Sequence, residues 1–136
     1  MSGAYSRNKG ARAERELCNL LTEYLGVEAT RQYKQFAQAQ HGDIEQLIGP
    51  YLVEVKNHAT LKPREWWDQA RRAADARGGC LPCVAYRLPN RGLYDRWRFV
   101  VPDERNPRHD WELDFRYTAD LGLEAFAVRV REHIGG

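Results

Sequence analysis

The sequence contains no apolar run long enough to span a bilayer, and its start lacks the apolar core of a secretion signal. These absences predict an intracellular, cytoplasmic chain with no membrane partner. Cysteine is scarce. Cys18, Cys80 and Cys83 are an odd set, too few to form a disulfide framework. Cys80-Leu81-Pro82-Cys83 is a lone C-x-x-C, whereas a structural zinc site needs four ligands, and no second pair supplies the rest. Two small residues on a buried strand is the plain reading, with zinc or redox chemistry the alternative. His41, His58, His109 and His133 show no metal-ligand spacing. There is no internal repeat and no low-complexity tract. Charge of one sign is also lacking overall, the formal net charge being only +2.

What is present is an ordinary globular composition, 43% hydrophobic and 29% charged over 136 residues, which suits one domain with a real core over 1–136. Charge is unevenly placed. Residues 110–124 carry five acids against Arg116, so residues 1–109 are basic, at +5. A basic segment suits a polyanionic partner, though a mixed solvated surface would have the same sum.

Residues 1–8 are polar and predict a flexible arm. Helical spacing of Leu17, Leu20, Leu21, Tyr24 and Leu25 predicts a helix over 9–25, closed by Gly26. Residues 27–33 suit a short strand and 34–42 a loop. A hairpin follows at about 43–48 and 51–57, turning at Gly49-Pro50. Pro63 opens a second helix that Gly78-Gly79 stops near Arg77. Strands are predicted at 81–88, 96–102 and, as an alternating edge, 111–117. An amphipathic helix closes the chain at 121–134. The order predicts an α/β domain, a central mixed β-sheet flanked by helices.

Certain residues break the pattern. On a wheel of 100° per residue, Glu14 falls inside the apolar stripe of the first helix, while Glu16 and Glu23 fall on the opposite, solvated side. A buried carboxylate needs a specific partner; a carboxylate near a helix start that still reaches water is the bland alternative. In the second hairpin strand, Leu52, Glu54 and Lys56 share one face, and Tyr51, Val53 and Val55 share the other. Asp43 enters from the neighbouring strand. Carboxylate oxygens of this kind hold Mg²⁺ or Mn²⁺, and a lysine beside them supplies a compact positive charge for a phosphate oxygen. Such a set suits phosphodiester hydrolysis. A structural Glu54–Lys56 ion pair is the alternative, and a poor stabiliser if buried.

Ten residues separate Asp43 from Glu54 in "GDI…VEVKN", which resembles the PD-(D/E)XK nuclease motif, with Gly42 where that motif's proline often stands. "KGARAERELCNLL" at 9–21 is similar to the first helix of archaeal-type Holliday junction resolvases. "ARGGCLPCVAYRL" at 76–88 is similar to a helix end and strand of the same family. The match spans about 9–101 and leaves the C-terminal 35 residues uncovered.

The resemblance implies a restriction-endonuclease-like fold and a Mg²⁺-dependent endodeoxyribonuclease, Mn²⁺ substituting. It implies that Asp43, Glu54 and the Val55 carbonyl bind the metal, that Lys56 is the catalytic lysine, and that Glu14 completes the site. Lys9, Arg15 and Arg31 match basic positions that contact DNA in that family; Arg7 and Lys34 are further candidates for DNA contact, Lys34 within a loop whose alternative is plain solvation. The resemblance also implies a homodimer acting on branched DNA, two sites cutting a four-way junction in recombination and repair. One departure stands out. That family usually has a short Ser/Gly-rich loop before the aspartate, and residues 32–42 here are longer and rich in Gln. This bears on substrate choice more than on chemistry, and leaves open a restriction- or repair-type nuclease acting on linear or flap DNA. A non-catalytic nucleic-acid-binding module is the rival from another class. Trp66 and Trp67 are adjacent, so only one is expected to face the core fully. Arg87, Arg91, Arg96 and Arg98 would either track phosphates or be scattered surface charge.

Overall fold

The computed structural model describes residues 3–26, 46–104 and 115–135. Helix α1 is Gly3–Leu25. Strands β1 (Gln46–Ile48) and β2 (Tyr51–Lys56) form a hairpin. Helix α2 is Pro63–Arg77, followed by β3 (Leu81–Arg87) and β4 (Trp97–Pro102). A single 3₁₀ turn, Phe115–Tyr117, leads into β5 (Thr118–Gly122), and α3 is Leu123–Gly135. The five strands lie in sequence order in one mixed sheet. Only the β2–β3 pair is parallel, and α2 is its crossover; the other pairs are antiparallel.

Local chemistry sets these boundaries. The β1–β2 connection has two residues: Gly49 takes a positive φ of 57°, and Pro50 supplies a restricted negative φ behind it. Its strand pairing runs Gln46 to Val53, Leu47 to Leu52 and Ile48 to Tyr51. The Pro50 carbonyl also accepts the Leu81 N–H at 2.8 Å, which ties the turn to the start of β3. Pro63 sits in the first turn of α2, where no N–H is needed, and the Gly78 N–H closes the far end on the Ala74 carbonyl.

The sheet has two covered faces. On one, α1 and α3 bury Leu17, Leu21, Phe126 and Val130 against Tyr51, Val53, Cys83, Ala85, Trp97, Phe99 and Val101. Phe99 and Phe126 stack with ring centroids 4.1 Å apart. On the other, α2 buries Trp66, Trp67 and Ala70 against Val84, Tyr86 and Val100. Strand alternation makes this division: neighbouring residues of β3 serve opposite cores.

Several sequence expectations change. Residues 3–8 belong to α1 rather than to a flexible arm. The expected edge strand at 111–117 is a 3₁₀ turn over Phe115–Tyr117, residues 111–114 lying outside the described part. The fifth strand is the next segment. Ala119 and Leu121 alternate inward to the α1/α3 core, so Leu121 belongs to a strand instead of starting the last helix. Gly122 stands opposite Arg98, and a Cβ there would meet the Arg98 guanidinium at 3.4 Å. Its bareness lets Arg98 lie across β5 and pair with Asp120 at 2.6 Å. Both Trp66 and Trp67 are buried, because the α2 stripe is wide enough to cover two consecutive large side chains. The expected strand at 27–33 and loop at 34–42 lie outside the described residues.

Candidate active site

The second half of β2 carries the charged pair. Leu52, Glu54 and Lys56 point to the α2 side of the sheet, in register with Pro82, Val84 and Tyr86 of β3. Val84 and Tyr86 belong to the α2 core, which fixes which face this is. Lys56 Nζ lies 3.5 Å from Glu54 Oε1. It also donates a 2.8 Å hydrogen bond to Gln69 Oε1 on α2. The Lys56 side chain is 17% exposed and that of Glu54 34%, so both are held by the protein yet reach solvent.

Beside them is an open hollow of about 420 Å³. Glu65, Trp66 and Gln69 of α2, with Lys62 just before the helix, form one wall, a single stripe at three- and four-residue spacing. The β2–α2 connection, with His58 and Thr60, forms the rest. The His58 ring packs on Trp66, and Trp66 in turn on Tyr86, with centroids 5.6 and 5.9 Å apart.

Glu14 lies elsewhere. It is half-buried on α1, the helix that covers the opposite face of the sheet. Burial raises its carboxyl above the ordinary carboxylate range. Among the described residues it forms no ion pair or hydrogen bond, and nothing links it to Glu54 or Lys56. Asp43, Arg31 and Lys34 lie outside the described residues. Arg7 and Lys9 fall on α1, their side chains outside the described part, and Arg15 is exposed on the same helix.

The arginines around β3 and β4 divide. Arg87 and Arg96 both bind Glu16, at 2.9 and 2.6 Å, and Trp97 Nε1 donates to the same carboxylate at 3.2 Å. Arg98 is paired with Asp120. Three of the four are therefore neutralised in place, and Arg91 is the exposed one. Glu16 is not on a solvated side as the wheel suggested; α1 lays it against the strand ends. Cys83 is wholly buried in the α1/α3 core, where burial pushes its thiol up, and Cys80 is half-buried just before β3.

Among the described residues no group of three or more His, Cys, Asp or Glu side chains is gathered as a metal cage. The donor chemistry on β2 nevertheless fits a hard divalent cation: Glu54 is a partly exposed carboxylate on a paired, rigid strand. Gln69 was missed in the sequence. Its signal was its position one turn beyond Trp66, at the edge of the buried stripe.

A family model described as "Phage putative PDDEXK endonuclease" matches residues 5–115. The chain belongs to this family. No curated protein and no solved structure matches it. Membership in the PDDEXK endonuclease family identifies the mixed sheet, with the five strands and three helices of the described residues, as the restriction-endonuclease-like fold. It also supports a nuclease, and hence a hydrolase, of the PD-(D/E)XK type. The matched span takes in both Glu54 and Lys56. No helix among the described residues is long and apolar enough to cross a membrane.

Proposed function

We propose that this chain is a single-domain, cytoplasmic, Mg²⁺-dependent DNA endonuclease that acts as a homodimer and resolves four-way junctions. The observation that carries the nuclease chemistry is the Glu54–Lys56 pair, 3.5 Å apart on one face of a paired strand. Junction preference rests on the likeness of 9–21 and 76–88 to archaeal-type resolvases.

Asp43, Glu54 and the Val55 carbonyl would hold the cation. When bound, Mg²⁺ supplies charge stabilisation at a phosphoryl oxygen and eases deprotonation of water, and Mn²⁺ would serve in its place. Lys56 has three N–H donors and one hydrogen-bonded partner among the described residues, Gln69. Its remaining donors meet a non-bridging phosphate oxygen and stabilise the charge that builds there in the transition state. The hydrolysis leaves a 5′-phosphate. Glu14 is the helix carboxylate that the resemblance assigns to the site, although α1 covers the opposite face of the sheet from Glu54 and Lys56. Arg7, Lys9, Arg15, Arg31 and Lys34 hold the flanking phosphates and so set the register of the strand.

Cleavage of a four-way junction, compared with a linear duplex built from the same arms, tests the reading. Paired cuts on the junction and little on the duplex are expected; equal rates on both would remove the junction claim and leave the endonuclease. That second outcome has its own support. The matched family is described as an endonuclease without mention of a junction, and residues 32–42 depart from the resolvase loop. Light scattering of the protein, alone and with a junction, tests the dimer.

A further inference from the structure

Lys56 stands between two acceptors of unequal kind. Glu54 is charged and lies 3.5 Å away; Gln69 is neutral and lies at 2.8 Å. A lysine with four rotatable bonds beside a lone carboxylate would close on it, and charge-assisted N–H···O bonds settle at about 2.7–2.9 Å. Here the shorter contact is to the neutral group. Lys56 thus makes its closer contact with Gln69 while remaining paired with Glu54 Oε1 at the longer distance of 3.5 Å.

The Gln69 side chain is exposed, but the residue follows Trp66 by three positions and precedes Ala70, which are 5% and 1% exposed, so the backbone beneath it is fixed to the sheet. An ammonium only donates, so the amide oxygen must face Lys56 and the amide N–H₂ must face away. A neutral acceptor also adds no negative charge beside a polyanionic substrate.

We infer that Gln69 is a positioning residue, acting through Lys56 to keep its ammonium aimed at the scissile phosphate. This rests on the proposed nuclease site. Misplaced support of a site group typically costs roughly 10- to 100-fold in activity.

The experiment measures cleavage of a four-way junction and of supercoiled plasmid DNA in Mg²⁺ by the full chain and three variants. Gln69→Leu removes the acceptor at similar bulk; roughly a 10- to 100-fold loss in kcat is expected, with KM and thermal midpoint unchanged. Gln69→Glu restores an acceptor oxygen at the same reach and should recover most of kcat while raising KM, since it adds negative charge beside the DNA. Lys56→Ala should be inactive whatever occupies position 69. Wild-type kcat in Gln69→Leu overturns the positioning role, as does a loss that follows KM or thermal midpoint alone. So does a Gln69→Glu variant as slow as Gln69→Leu. Wild-type cutting by Lys56→Ala would instead overturn the nuclease site itself, so the two failures are told apart.

Discussion

Glu54 and Lys56 are two residues apart on β2, and that spacing alone puts both on one face of the strand. A surface pair of this kind contributes little to stability, typically below about 1 kcal/mol. Glu54→Gln and Lys56→Ala should therefore leave the urea midpoint nearly unchanged while lowering cleavage by about 10²-fold or more. A matching loss of stability would mark the pair as structural. Glu14 should behave in the opposite way. Burial raises its folded-state pKa, so the folded protein holds this proton more tightly than the unfolded chain. Its contribution favours folding at low pH and is lost as pH rises through the raised value. Glu14→Gln should thus melt higher than wild type at pH 7, and the gap should close when both are melted near pH 4. If Glu14 also completes the site, the same variant gains stability and loses cleavage, a trade common at functional positions.

Helix α1 is fixed to the sheet by more than its leucines. Glu16 reaches Arg87, Arg96 and the Trp97 indole at once, joining the helix to the ends of β3 and β4. Glu16→Ala should cost about 1–3 kcal/mol, because two half-buried guanidiniums lose their acceptor; urea unfolding would measure it, and a change below ~0.5 kcal/mol would count against the network. This junction was not legible in the sequence. A helical wheel treats a helix in isolation, and Glu16's partners lie 71 and 80 residues downstream. The same blindness hid the pairing of Arg98 with Asp120. Leu121 misled for another reason: it directly precedes the helical run of Leu123, Phe126, Ala127 and Val130, and only pairing with Phe99 shows it as a strand residue. Where punctuation is strong the sequence sufficed. Pro63 and Gly78 bracket α2, Gly49-Pro50 turns the hairpin, and period two put Glu54 with Lys56.

For the molecule as a whole, charge and topology bear on function. Residues 1–109 hold the excess of basic charge, and they include every position proposed to touch DNA. Binding of a junction by Asp43→Asn, measured by fluorescence anisotropy, should remain close to wild type and weaken steeply between 50 and 200 mM salt, with log K falling linearly in log salt. Affinity that ignores salt would exclude a phosphate-tracking surface. Arg87, Arg96 and Arg98 should contribute little to that slope, since carboxylates already occupy them.

The parallel β2–β3 pair has a consequence for how the enzyme comes into being. Strands β3 and β4 pair after a short connection, but β2 finds its central neighbour only after the chain has run through α2. Contacts with long loops form late, because the entropy of closing the loop must be met first. A growing chain that has not yet released β3 from the ribosome cannot present Glu54 and Lys56 on a strand paired at both edges. On the proposed site, fragments that end before β3 should therefore show no DNA cleavage, which truncated chains would test.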